Sequence, residues 1–283
     1  MAGIDEERVE EEAEAFVRRV EEHKRLTERM GGIKHKIAIM SGKGGVGKSL
    51  VTVNLAAALA ADGKKVGVLD ADLHGPTVPK MLGLKGAHLE AGEKGIVAPT
   101  DSRGIKVASM DFLLPTQDSP VIWRGPLKMA AIRQLLSDVD WGELDYLLID
   151  LPPGTGDEAL TVLQLLPGID GVVIVTIPNE VSGQVVEKSI TFARQMNAPV
   201  IGLVENMSYF VCPHCGERTF LFGEGVGESI ASAMGVPFLG SLPLDPAVAK
   251  ASDSGRPFVS ENPESIAAKA FKEIVKKIVA FVG

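Results

Sequence analysis

Seven short runs of aliphatic and β-branched residues punctuate this chain, and most stay apolar at consecutive positions instead of alternating. They are KIAIM (36–40), KVGVLD (65–70), IKVASM (105–110), YLLID (146–150), GVVIVTI (171–177), VIGLVEN (200–206) and FLGSLP (238–243). A strand with one wet face alternates, whereas a continuously apolar run belongs to a strand covered on both faces. Helical stretches such as LVTVNLAAALAADG and ALTVLQLLPG separate several of the runs. Strand–helix alternation implies right-handed βαβ units. The expected fold class is therefore α/β, a mostly parallel sheet with helices on both faces.

Two further segments bound the organisation. Residues 5 to about 30 are charge-rich, with Val9, Ala13, Phe16, Val17 and Val20 at helical spacing, and Gly31-Gly32 ends the pattern. This divides the chain into a charged helical extension, 1–32, and one domain, 33–283. At the other end, Ile266, Ala270, Phe271, Ile274, Ile278 and Val282 share a helical face. A terminal helix packed on the core is the expected use of that face. A helix lying on a bilayer is the alternative.

Composition excludes more than it assigns. A formal net charge of −8 argues against a surface that coats nucleic acid. Two cysteines cannot build a disulfide framework. The acidic start MAGIDEERVEEEAEAF is not a secretory leader, and no stretch reaches the ~20 apolar residues of a membrane span. A reducing cytoplasm is the expected location.

The chemistry concentrates where the first apolar run ends. Gly42, Lys43, Gly44, Gly45, Val46, Gly47, Lys48 and Ser49 form G-x-x-x-x-G-K-S between a predicted strand and a predicted helix, the context a phosphate-binding loop requires. Glycines let successive N–H groups face the phosphates, and the helix N-terminus adds positive potential. Lys48 is placed to reach the β- and γ-phosphates of ATP and Ser49 to ligate Mg²⁺. Asp70 and Asp72 end the second run and Asp150 the fourth. Ligands of open α/β sheets lie beyond the carboxyl ends of the strands, which brings these carboxylates beside the phosphates. Asp72 is the candidate for positioning the attacking water, and Asp150, with Ser49 and Asp72, for Mg²⁺. Gly154 in LPPGTGDE is a candidate donor of an unhindered N–H to the γ-phosphate.

Cys212 and Cys215 form C-x-x-C in VCPHCGE, on the loop expected after a strand ending at Asn206. One such pair is half a zinc site, half an iron–sulfur ligand set, or a redox dithiol. Pro213 and Gly216 favour a loop over the helix start of a thioredoxin-like motif. Four thiolates are the usual complement for a cubane cluster or structural zinc. A symmetric homodimer would supply them from two chains.

Taken together, KGGVGKS resembles the deviant phosphate loop of the MinD/ParA/nitrogenase-iron-protein class. DADLHGPTVP, VIWRGP, LLIDLPPGTGDE, VENMSYFVCPHCGE and LPLDP resemble the Mrp/ApbC group of iron–sulfur cluster carrier ATPases. The resemblance implies that Lys43 crosses a dimer interface to the partner's phosphates. It also implies that Asn206 hydrogen-bonds adenine, with Pro243 and Asp245 closing over the base. At the cysteines it favours a bridging [4Fe–4S] cluster over zinc, delivered to apo iron–sulfur proteins. A MinD/ParA-like positioning ATPase acting on membrane or DNA, and a zinc-bridged regulatory ATPase, are the alternatives.

Overall fold

The computed structural model describes residues 6–72, 75–113 and 125–283. The motif VIWRGP therefore lies mostly outside the described residues, as do Leu73 and His74. The chain begins with α1 (Glu6–Gly31), β1 (Ile33–Ser41), α2 (Lys48–Ala61), β2 (Val66–Asp70) and α3 (Val78–Met81). A hairpin of β3 (Glu90–Gly92) and β4 (Gly95–Val97) leads to β5 (Lys106–Ser109) and α4 (Gly125–Ser137). Next come β6 (Leu144–Asp150), α5 (Asp157–Leu165), β7 (Gly171–Thr176), α6 (Glu180–Gln195), β8 (Val200–Val211) and β9 (Arg218–Thr219). The remainder is α7 (Val226–Met234), β10 (Phe238–Pro243), α8 (Pro246–Asp253), α9 (Phe258–Glu261) and α10 (Ile266–Val282).

All seven apolar runs are strands of one sheet, in the order β10-β8-β7-β1-β6-β2-β5. Each of these pairs is parallel, as the unbroken apolar runs require. Successive side chains of a strand point to opposite faces. Ala38 and Met40 accordingly enter one core with Leu69, Ile132 and Trp141, while Ile37 and Ile39 enter the other with Val51, Leu55 and Phe271. The sheet separates these two cores. Its register places Asp150 opposite both Ile39 of β1 and Asp70 of β2, which aligns the carboxyl ends of three strands.

α10 buries Ala268, Phe271, Ile274, Val275 and Ile278 and packs on β10 and α2. Burying one large aliphatic or aromatic side chain contributes about 1.5–3 kcal/mol, so this face is committed to the core. A bilayer-facing use of the helix loses most of its apolar surface, although Ile266 and Phe281 remain exposed at its two ends. Among the described residues no helix is long and apolar enough to cross a membrane.

α1 departs from its sequence pattern. Leu26 and Met30 near its end are the buried residues, packed with α4, whereas Phe16, Val17 and Val20 are exposed. The buried Lys36 ammonium donates to the carbonyl of Ile33 at 3.1 Å and lies 3.5 Å from that of Met30, which ties β1 to the end of α1. Arg29 on Asp140, at 3.2 Å, fixes the same end.

Candidate nucleotide site and cysteine hairpin

β1 stops at Ser41 and α2 starts at Lys48, so Gly42–Gly47 form the connecting loop. Gly45 and Gly47 take φ values of 79° and 83°, in the left-handed region that favours glycine. Gly47 is confined in a second way: a Cβ there would lie 2.3 Å from Nδ2 of Asn206. At Gly42 a Cβ would lie 2.4 Å from Cγ1 of Val185 on α6. The loop is therefore gripped from β8 and from α6.

Lys48 and Asp150 form a buried ion pair at 2.8 Å. Asp150 is wholly buried, and its two oxygens have different partners. Oδ2 accepts the Ser49 hydroxyl at 2.5 Å, and Oδ1 accepts the Thr52 hydroxyl at 2.8 Å. Asp70, its register neighbour, is also wholly buried. Burial, followed by the repulsion of Asp150, pushes the Asp70 carboxyl well above the usual carboxylate range. It accepts from the backbone N–H of Asp72 at 3.2 Å, from that of Val78 at 3.3 Å and from the Ser109 hydroxyl at 3.3 Å. Asp70 thus anchors the segment that carries Asp72, whose side chain is half-buried. The hydroxyl of Ser49 and the carboxylate of Asp150 are hard oxygen donors of the kind Mg²⁺ prefers. The residues present fit that ion.

Gly154 differs from expectation. It adopts φ 89°, but its N–H donates to the Ser41 carbonyl at 2.8 Å. The group expected to face a phosphate already closes the loop after β6 onto the base of the phosphate loop. Lys43, in contrast, is half-exposed, and its ammonium makes no hydrogen bond or ion pair among the described residues.

Asn206 is buried at the phosphate loop and donates through Nδ2 to the Val46 carbonyl at 2.9 Å. Pro243 pairs with Tyr209 on β8, three residues beyond Asn206, and Asp245 follows it at the start of α8. Both line an apolar groove of about 420 Å³ with Phe210, Val211, Pro213 and Ile266, and neither Asn206 nor the phosphate loop contributes to its walls. The Asp245 carboxylate caps α8 by accepting from the Ala247 N–H at 2.8 Å.

β8 does not end at Asn206. Met207 takes φ 54°, a left-handed kink, after which the chain resumes extended pairing as far as Val211. There Phe210 and Val211 pair antiparallel with β9, so the cysteines sit on the turn of a hairpin. Cys212 N–H donates to the Glu217 carbonyl, and Gly216 N–H to the Cys212 carbonyl, both at 2.9 Å. The backbone N–H of Cys215, then that of His214, donates to the Cys212 sulfur and holds its thiol below the usual cysteine range. Both cysteines are free, Cys215 and His214 being exposed. Among the described residues no third metal-ligating side chain joins them.

Two site residues escape the sequence reading. Thr52 looks like an ordinary residue of an apolar helix. Glu205 sits inside an apolar run, which is the signal that marks it. It is buried and accepts from Ser208 Oγ at 2.5 Å and from Gly227 N–H at 2.6 Å, joining β8 to the start of α7.

A parallel sheet with a glycine-rich loop after its central strand, a buried lysine at the helix start and aspartates on the adjoining strand ends defines a P-loop NTPase. The family model described as ParA, NUBPL iron-transfer P-loop NTPase, matches residues 32–279. The chain belongs to this family. It is 57% identical over 254 residues to the iron-sulfur cluster carrier protein of Saccharolobus solfataricus, covering 90% of this chain and 86% of that protein. A nucleotide-binding protein of Archaeoglobus fulgidus, solved in complex with ADP, superposes with a TM-score of 0.75 at 48% identity, over 83% of this chain and 91% of that one. The Pyrococcus furiosus cell division ATPase MinD gives a TM-score of 0.62 at 25% identity, over 87% and 99%.

Proposed function

We propose that this chain binds and hydrolyses ATP with Mg²⁺ and, as a homodimer in a reducing cytoplasm, carries an iron–sulfur cluster for transfer to apo-proteins. One observation carries the reading furthest. The cysteine hairpin, with its lowered Cys212 thiol, extends the strand whose Asn206 grips the phosphate loop. Nucleotide site and cargo site share one backbone segment. The names of the relative from S. solfataricus and of the family point the same way.

At the nucleotide, the loop N–H groups and the start of α2 receive phosphate oxygens. An ammonium has three donors, so Lys48 can serve Asp150 and the phosphates together. Ser49 and Asp150 would hold Mg²⁺, which supplies charge neutralisation on the phosphates when bound. Asp72 orients the attacking water, and Lys43 reaches across a dimer to the neighbour's phosphates, where negative charge spreads during transfer. Asn206 Oδ1 remains for the adenine amino group. Pro243 and Asp245 close the base side.

At the hairpin, each chain offers two thiolates and a [4Fe–4S] cargo takes four, so two hairpins meet on a two-fold axis. Anaerobic reconstitution with iron and sulfide tests this. One four-iron cluster per two chains is expected, with loss of cluster in both Cys212→Ala and Cys215→Ala. A full cluster on a monomer, or zinc retained with no iron uptake, overturns it.

A further inference from the structure

We propose that Thr52 is a positioning residue for Asp150, fixing which carboxylate oxygen is offered to Mg²⁺. The proposal rests on the reading that Asp150 serves that ion. Thr52 stands three residues after Ser49 on α2, so both hydroxyls project from the same face of the helix. It is fully buried. Its oxygen lies 2.8 Å from Asp150 Oδ1 and 3.1 Å from the Lys48 carbonyl. A hydroxyl has one proton to give. A back-bond to the carbonyl one turn earlier is the ordinary habit of a helical threonine. Here the carboxylate is the nearer acceptor and carries the charge, which makes it the stronger one.

The effect on Asp150 is a division of its oxygens. Among the described residues, Thr52 is the only donor to Oδ1, while Ser49 and Lys48 both address Oδ2. The terminal torsion of an aspartate is soft, so the carboxylate keeps its orientation only if both oxygens are held. The pressure to turn is real, because the wholly buried Asp70 faces Asp150 in register. Without the Thr52 proton, Oδ1 would be a buried, unpartnered charged acceptor beside a second carboxyl, a costly arrangement. Rotation toward the Ser49 and Lys48 donors would relieve it and would misplace the oxygen meant for the ion. The phosphate loop itself would be untouched.

Thr52→Val removes the hydroxyl at nearly constant shape, and Thr52→Ser keeps it. Mn²⁺, a spectroscopic substitute for Mg²⁺, is titrated by electron paramagnetic resonance in the presence of ADP, and fluorescent-nucleotide affinity is measured in EDTA. Groups that orient metal ligands typically contribute about 10–100-fold to metal affinity. Thr52→Val should weaken Mn²⁺ binding at the lower end of that range, roughly tenfold, leave the EDTA affinity within about twofold, and be rescued by Thr52→Ser. Unchanged Mn²⁺ binding in Thr52→Val, or an equal loss with and without metal, overturns the proposal. A wild-type chain that binds ADP but no Mn²⁺ overturns the Asp150 reading beneath it, a distinct result because the variant then has nothing to lose.

Discussion

Lys48 Nζ and Asp150 Oδ2 stand 2.8 Å apart, the lysine 6% exposed and the aspartate 0%. The pair joins the first residue of α2 to the last of β6. Asp70 lies alongside in register, so among the described residues the Lys48 ammonium faces two buried carboxyl groups.

Removing that cation should therefore destabilise the fold as well as abolish nucleotide binding. Breaking a buried pair typically costs about 3–5 kcal/mol, because the remaining charge is uncompensated. Lys48→Ala should lose stability on this scale in chemical denaturation, and adding Asp150→Asn should restore part of it. Unchanged stability in Lys48→Ala would show that the pair is not coupled to folding.

Asp70→Asn should be more stable than the parent at neutral pH. A folded-state pKa raised by burial means that the folded chain holds a proton the unfolded chain has already released. Stability linked to that proton is full below the unfolded value, about 3.9, and is lost as pH rises toward the folded one. The advantage of Asp70→Asn should accordingly shrink as pH falls through the acid range. Thermal unfolding followed from pH 4 to 8 checks this, and an advantage that grows toward acid would contradict it.

Cys212 should alkylate faster than Cys215 at neutral pH, with a rate midpoint below the ordinary thiol value of about 8.5. The N–H donors on its sulfur are the cause. Peptide mapping after brief iodoacetamide exposure across pH 6–9 measures both rates in one sample. Equal profiles would mean that the turn does not favour the thiolate.

Lys43→Ala should keep ATP affinity and lose turnover. An arginine finger from a partner gives about 10³–10⁵ in rate, an upper bound for a lysine in that role. Mixing Lys43→Ala with Lys48→Ala chains should restore part of the activity, because a mixed dimer contains one site with both lysines. No recovery after demonstrated subunit exchange would place Lys43 in its own chain's site.

The sheet was legible because strands buried on both faces leave an unmistakable apolar run, and all seven runs are strands of the sheet. β3, β4 and β9 leave none, being two or three residues long and largely exposed. The stripe of Phe16, Val17 and Val20 has helical spacing, but periodicity does not say which part of a helix meets the body; Leu26 and Met30 do. The phosphate loop is local in sequence and so is readable as a motif. Thr52 on Asp150, Gly154 on Ser41 and Glu205 on Gly227 join residues 22 to 113 positions apart. No local pattern encodes such pairs.

The kink at Met207 separates two jobs done by one strand. Upstream of it, β8 is a fixed beam, clamped in the sheet between β7 and β10 and tethered to the phosphate loop by Asn206. Downstream it stays tied to β10 as far as Tyr209, and beyond that residue it is a cantilever carrying the cysteine turn at its tip. A cantilever magnifies a small rotation at its root into a larger displacement at its end. The root here is Tyr209, three residues from the side chain that touches Val46, and the tip is Cys212, three residues further on.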